Sequence, residues 1–296
     1  IGNTSNDSYF ALRDICDHLL ENHQKICVLG GSQDLSYGMT ETFDGRLFNM
    51  VTVDPKLDYR KGVKNIHSEN YMNLIFEKQK NLYSYTAIAY QNYFVDQTDI
   101  DFFNHWHWDM KRLGQIRYDL TSVEPILRDA NVFSFDINAI RYMDAPGQAM
   151  ASPNGLYSEE ACQIARYAGI SDTLEIAGFF NLIPGNDLSS STSNLMAQII
   201  WHFMEGFVNR NPEDPSDDTE DFNHFVVDMS DINVAITFFQ SRVSGRWWME
   251  ISDFEHRKGR MYIVPCEEED YKKASQGDIP DRWWKNIRKM HKRQNK

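Results

Sequence analysis

Short, nearly continuous apolar runs alternate along most of the chain with segments whose apolar positions recur every three or four residues. Continuous runs are typical of strands buried on both faces of a parallel sheet, and the wider spacing is typical of amphipathic helices. The predicted strands are 26–29, 48–53, 85–90, 132–135, 174–180 and 225–227, and the predicted helices are 9–20, 70–79, 99–113, 158–168 and 193–207. This alternation predicts an α/β fold: a three-layer α/β/α domain with a mostly parallel sheet.

The pattern changes after Asn233. Segments 237–240, 246–251 and 261–264 are predicted strands, and the chain ends in a basic helix that begins near Asp281. We therefore expect an α/β/α domain over residues 1–233 and a C-terminal β and helical extension over residues 234–296. Because the sequence begins with Ile1 rather than Met, an N-terminal piece is expected to be absent.

Composition excludes several classes of protein. The 296 residues include 43 acidic and 30 basic side chains, a formal charge of −13, which argues against a general nucleic-acid or anionic-membrane binder. No apolar run approaches the roughly 18 residues that span a bilayer. The four cysteines contain no CxxC pair, so a zinc knuckle or dense disulfide framework is not expected, and a cytoplasmic location is favoured.

Three segments rich in polar, metal-seeking side chains follow predicted strands. They are Gly30-Gly31-Ser32-Gln33-Asp34 after the first strand, Asp54-Pro55-Lys56-Leu57-Asp58 after the second and Asp136-Ile137-Asn138 after the fourth. In an open α/β sheet, ligands bind outside the carboxyl ends of the strands. The three segments are therefore expected to meet at one edge of the sheet.

In order and spacing these segments resemble the ureohydrolase family, which includes arginase, agmatinase and formimidoylglutamase. In that family a GGxH turn, a DAHxD strand end and an SxDxDxxDP strand end supply two histidines and four aspartates to a pair of manganese ions. The ions hold a hydroxide that attacks a guanidinium or formimino carbon. The resemblance extends from about Lys25 to Gly206 and implies an arginase-like, formimidoylglutamase-like fold.

Three of the six family ligand positions hold a different residue here. Gln33 stands at the first histidine, Lys56 at the second histidine and Asn138 at an aspartate, whereas the remaining ligand positions are kept by Asp54, Asp58 and Asp136. A protonated lysine cannot donate a lone pair, and neutral amides are poor replacements for imidazole and carboxylate around Mn²⁺. We expect no metal at these vestigial positions, and manganese only if the site still functions.

The replacements also suggest what fills the site. Arg141 replaces the family's next aspartate, and segment 177–181 offers no acid where the family has a substrate-contacting glutamate. The predicted pocket comprises Asp34, Asp54, Lys56, Asp58, Asp136, Asn138 and Arg141. We expect Lys56 to bridge the remaining aspartates and to take the place of a metal, because clustered carboxylates otherwise resist ionisation.

Two functions follow from this pattern. The losses favour a non-catalytic pseudoenzyme that acts as a binding or assembly subunit. The alternative is a formimidoylglutamase-type C–N hydrolase of linear amidines that uses one metal or none. In that case Asp58 or Asp136 would serve as the base, and Lys56 would stabilise developing negative charge.

The C-terminal helix is the other candidate for a functional surface. Residues 281–296 include seven lysines and arginines and one acid, and apolar side chains recur at helical spacing: Trp283, Trp284, Ile287 and Met290. Such a stripe packs either on its own domain or on a partner protein. Both outcomes stay open, as does a homo-oligomer, whereas nucleic acid is not expected as a partner.

Overall fold

The computed structural model describes residues 5–63, 66–216, 220–229, 232, 234–252 and 262–294. The chain divides into two compact units, Ile1–Arg210 and Asn211–Lys296. This boundary lies earlier than the one predicted after Asn233. The reason is that Phe222–Met229 pairs antiparallel with Val234–Ser241, so the predicted boundary would separate two neighbouring strands.

Unit 1 contains a six-stranded sheet in which all neighbouring strands are parallel, in the order β1-β6-β5-β2-β3-β4. The strands are β1 (Ile26–Leu29), β2 (Phe48–Val53), β3 (Leu82–Tyr90), β4 (Asp109–Arg112), β5 (Val132–Asp136) and β6 (Ile176–Phe180). Five of them were expected from their apolar runs. The predicted mostly parallel sheet is confirmed.

Helices cover both faces of this sheet. They are α1 (Ser5–Glu21), α2 (Ser36–Thr40), α3 (Met72–Lys78), α4 (Gln97–Trp106), α5 (Leu113–Tyr118), α6 (Glu124–Arg128), α7 (Ser158–Gly169) and α8 (Ser191–Val208). Successive residues of a strand point to opposite faces: in β2, Met50 enters the core with α1–α4, and Val51 enters the core with α5–α8. The three-layer α/β/α architecture is therefore confirmed.

The sheet has a topological switch point between β2 and β5. The chain leaves β2 through α3 on one face and continues to β3, whereas it leaves β5 through α7 on the other face and continues to β6. Because these adjacent strands connect in opposite directions, a crevice opens beyond their carboxyl ends. Asp54 and Asp136 lie at those two ends.

One predicted helix is partly wrong. Segment 99–113 was expected to be helical throughout, but α4 ends at Trp106, where His107 adopts a left-handed φ of 58°. Residues Asp109–Arg112 instead form β4 at the edge of the sheet. This strand carries three charged side chains in four residues, which is common at exposed edges and leaves no apolar run to detect.

Unit 2 is built on a four-stranded antiparallel sheet in the order β10-β9-β8-β7. Its elements are β7 (Phe222–Met229), β8 (Val234–Ser241), β9 (Trp247–Ile251), β10 (Tyr262–Cys266), α9 (Glu268–Ser275) and α10 (Asp281–Gln294). The assignment of 225–227 to the parallel sheet is therefore wrong. Along β7 burial alternates from residue to residue, as expected for an antiparallel sheet with one solvated face.

Helix α10 packs its apolar stripe inside unit 2. Trp283, Ile287 and Met290 are buried in one cluster with Phe238 and Met249 of the sheet. Trp284 is the exposed member of the predicted stripe, and Arg288 lies over its ring. Among the residues that the structure describes, no helix is long and apolar enough to cross a membrane.

Candidate functional site

Three buried aspartates meet at the switch point. The ladder between β2 and β3 continues through Asp54, whose amide donates to Ile88 O at 3.0 Å, and a turn then brings the Asp58 carboxyl into hydrogen bond with Asp54. Asp136 ends the adjacent strand β5 and accepts a 2.7 Å hydrogen bond from the Asn138 amide. The three residues lie close together at the carboxyl ends of the adjacent strands β2 and β5, near enough for Asp58 and Asp136 to raise the pKa of Asp54.

This crowding disfavours ionisation. Burial, followed by repulsion from Asp58 and Asp136, raises the pKa of Asp54 well above its usual range. Burial and Asp136 raise the pKa of Asp58 to about 7, and burial raises the pKa of Asp136 to about 6. Three buried carboxyl groups this close together therefore resist ionising at the same time.

Lys56 does not bridge the aspartates, and that prediction is wrong. Its Nζ donates to Oε1 of Glu69 at 2.6 Å, and this hydrogen bond lowers the pKa of Glu69. The ammonium is nevertheless close enough to Asp58 and Asp136 to offset part of the rise in their pKa values. The lysine therefore acts on the aspartates through space, while its direct partner is a carboxylate that the sequence did not single out.

The other two replaced positions are also engaged within the protein. Gln33 is buried, and its Nε2 donates to Ser134 Oγ at 3.0 Å, while its Oε1 accepts no hydrogen bond. Asn138 Oδ1 accepts from the amides of Ala149 and Met150 at 3.1 and 3.2 Å. Gln33 and Asn138 thus hold the loops around the strand ends together.

Two predicted pocket residues serve other contacts. Asp34 accepts a 2.5 Å hydrogen bond from Tyr9 of α1 and another from Ser32. Arg141 forms an ion pair with Asp144 at 2.8 Å, and its guanidinium lies over the ring of Tyr157. Neither residue lines the pocket described below, which differs from the prediction. Each instead has local partners that stabilise the turn or the loop in which it lies.

A pocket of about 110 Å³ opens beside the aspartates. It is lined by Lys56, Leu57, Asp58, Tyr59, Arg60, His67, Glu69, Phe94, Val95 and Asp99. Only the first and third of these belong to the predicted set. His67, Glu69 and Asp99 come from the loop before α3 and from α4, so no strand-end signal could have identified them.

Asn181 was also missed as a site residue. It follows β6 directly, its side chain donates to Asp136 and so lowers the pKa of that carboxyl, and its own φ is 66°. Two other residues also have a left-handed φ. They are Asp58, in the turn after β2, with a φ of 44°, and Ala89, the last but one residue of β3, with a φ of 72°. A polar residue directly after a buried strand is a signal that could have found Asn181.

Replacing Ala89 by glycine is expected to raise the free energy of unfolding by about 1 kcal/mol, because only glycine adopts a left-handed φ without strain. The control is Ala87→Gly in the same strand, where φ is not positive and glycine should destabilise by a similar amount. Urea denaturation of both variants measures the difference. Destabilisation by Ala89→Gly equal to that of the control would contradict the expectation.

The architecture of unit 1 agrees with comparisons to known proteins. The family model described as "Arginase family" matches residues 3–205. The chain belongs to the arginase family. The family resemblance predicted from the three strand ends is therefore confirmed, and the match ends close to the end of α8, leaving unit 2 outside it.

Formimidoylglutamases are among the relatives of this arginase-family chain. The formimidoylglutamase of Staphylococcus aureus (strain USA300 / TCH1516) is 20% identical over 202 residues, which are 63% of this chain and 63% of that protein. The chain thus spans about 63% of the length of that curated relative.

Solved structures show the same fold. A crystal structure of Trypanosoma cruzi formiminoglutamase with Mn²⁺ has a TM-score of 0.65 and 20% identity, covering 71% of this chain and 74% of that chain. The formimidoylglutamase of Bacillus subtilis subsp. subtilis str. 168 has a TM-score of 0.64 and 15% identity, covering 72% and 70%. At these identities the likeness concerns the fold alone.

Proposed function

We propose that this arginase-family chain is a non-catalytic binding subunit whose strand-end pocket no longer supports two-manganese hydrolysis. The observation that carries the proposal is the engagement of all three replaced side chains with protein partners. Lys56 donates to Glu69, Gln33 donates to Ser134, and Asn138 accepts from two backbone amides.

The donor chemistry of the site does not fit a pair of manganese ions. Its ionisable donors are Asp54, Asp58 and Asp136, which together carry at most three negative charges. The buried, unpartnered Oε1 of Gln33 adds one neutral acceptor. Three carboxyl groups and one amide oxygen, with a lysine ammonium nearby, lack the imidazoles and the charge that two divalent ions require.

The pocket beside the aspartates suits a small polar molecule. Its walls carry the ammonium of Lys56 and the guanidinium of Arg60, together with the carboxyl groups of Asp58, Glu69 and Asp99. Lys56 is paired with Glu69 and Arg60 with Asp99. A ligand that itself carries both signs would exchange these pairs for contacts with its own charges. In this proposal the ligand is held without being hydrolysed.

The first experiment measures turnover and metal content together. Formiminoglutamate, arginine and agmatine are supplied with added Mn²⁺, and bound manganese is determined by elemental analysis. We expect no turnover and no stoichiometric manganese in the native protein. Turnover by the native protein that disappears in Asp58→Ala would contradict the proposal and favour the hydrolase alternative, which the name of the Staphylococcus aureus relative supports.

The second experiment restores the family ligands. The triple variant Gln33→His, Lys56→His, Asn138→Asp is expected to gain tight manganese binding. Its matched control carries the same types of change at exposed positions: Gln198→His, Lys272→His and Asn194→Asp. If the triple variant binds no more manganese than the control, the replaced side chains are not what excludes the metal.

A further inference from the structure

Strand β7 lies at an edge of the sheet of unit 2. It ends the four-stranded sheet, and no other strand of the described residues pairs with its outer side. Its register with β8 is continuous from Phe222 to Met229, with no bulge, and it contains neither proline nor lysine. Edge strands present unpaired N–H and C=O groups that template pairing with another chain. Proteins commonly prevent such pairing with a bulge, a proline or a lysine in the edge strand.

The hydrogen-bonding phase of β7 fixes which backbone groups face outward. The Arg242 amide donates to Asp221 O at 2.9 Å, so this facing pair is hydrogen-bonded. In an antiparallel ladder the bonded residues alternate. Odd-numbered residues of β7 therefore bond to β8, and the amides and carbonyls of Phe222, His224, Val226 and Asp228 point away from the sheet.

The side chains of these outward-bonding residues form a short self-complementary pattern. His224 and Asp228 are exposed on either side of Val226, which is 67% exposed. A two-fold axis through Val226 would place each His224 opposite Asp228 of the other strand, and the two valines opposite each other. An imidazole N–H can donate a hydrogen bond to a carboxylate on the facing strand, and cross-strand side-chain pairs of this kind stabilise a sheet.

We propose that β7 pairs antiparallel with β7 of a second copy of this chain, about a two-fold axis at Val226. Three facing residue pairs then form about six backbone hydrogen bonds and join two four-stranded sheets into one. A two-fold axis at Phe225 fits less well, because it sets the Asp228 carboxylate opposite the ring of Phe222. This interface is independent of the role of the pocket in unit 1.

The test is the mass of the full chain in solution, measured by light scattering and sedimentation up to about 100 µM, where a dimer of micromolar Kd is formed. Val226→Pro removes an outward amide without removing a hydrogen bond to β8, since proline is tolerated at such edge positions. We expect at least tenfold weaker dimerisation with an unchanged circular dichroism spectrum. Val226→Thr keeps the amide and should dimerise within a few-fold of the native chain.

Exchanging His224 and Asp228 tests the register without relying on proline. His224→Asp places a carboxylate opposite Asp228 of the other strand and should weaken the dimer. The double variant His224→Asp, Asp228→His again sets an aspartate opposite a histidine at both places and should restore the dimer. A native chain that stays monomeric at 100 µM would overturn the proposal. So would a dimer that persists in folded Val226→Pro, or one that the double swap fails to restore.

Discussion

Replacing Gly206 by alanine is expected to lower the free energy of unfolding by about 3 kcal/mol. A Cβ atom at this position would lie 2.4 Å from Arg166 O and 3.2 Å from Ile170 N, on the backbone of α7. Gly169 makes the reciprocal approach, with its Cβ placed 2.1 Å from Phe203 O of α8. Backbone atoms cannot rotate away as a flexible side chain can, so the two helices would have to separate and loosen the core between them and the sheet.

Gly114→Ala is the matched control for this substitution. Gly114 lies in α5, and a Cβ there meets no atom within 4 Å. Alanine should therefore stabilise the protein by about 0.5 kcal/mol, through its higher helix propensity. Urea denaturation with an unchanged m-value measures both variants. A loss below about 0.5 kcal/mol for Gly206→Ala would show that α7 and α8 adjust at little cost.

The apolar pattern could predict the inner strands of unit 1 because these strands are buried on both faces. Val132–Asp136 and Ile176–Phe180 are entirely buried, so each appears in the sequence as an apolar run. The same criterion misplaced β7, whose short run at 225–227 belongs to an antiparallel sheet. A run of three apolar residues carries no information about which strand will pair with it, since pairing is decided by contacts distant in the sequence.

The positions of the site residues could be predicted, but their partners could not. Strand ends are placed by topology, which is why Asp54 and Asp136 meet as expected. Lys56 has a long, flexible side chain with several carboxylates within reach, and the geometry of the loop before α3 selects Glu69. Arg141 is captured in the same way by Asp144, three residues along the chain.

Replacing Asp58 by asparagine is expected to make stability less dependent on pH. In the folded state burial and Asp136 raise the pKa of Asp58 to about 7, whereas in the unfolded state it is near 4. The group therefore contributes stability that is present below pH 4 and is lost as the pH rises through 7. Asparagine cannot ionise. Relative to the native chain, the variant should gain roughly 3 kcal/mol between pH 5 and pH 8.

The measurement is the free energy of unfolding in urea at pH 5, 6, 7 and 8 for both proteins. Taking the difference between variant and native chain removes the contribution of groups that titrate alike in both, including the histidines. A difference that stays constant with pH would contradict the expectation, because it would mean that the Asp58 carboxyl ionises as readily in the folded state as in the unfolded state.

The double variant Asp54→Asn, Asp58→Asn tests whether the two carboxyl groups share one proton. If they do, the first substitution removes most of the repulsion between them, and the second yields a clearly smaller change in pH dependence than either yields alone. Equal and additive changes would instead mean that each carboxyl is destabilised by its own burial. That result would place the pH dependence in desolvation at the switch point and leave the hydrogen bond between Asp54 and Asp58 without an energetic role.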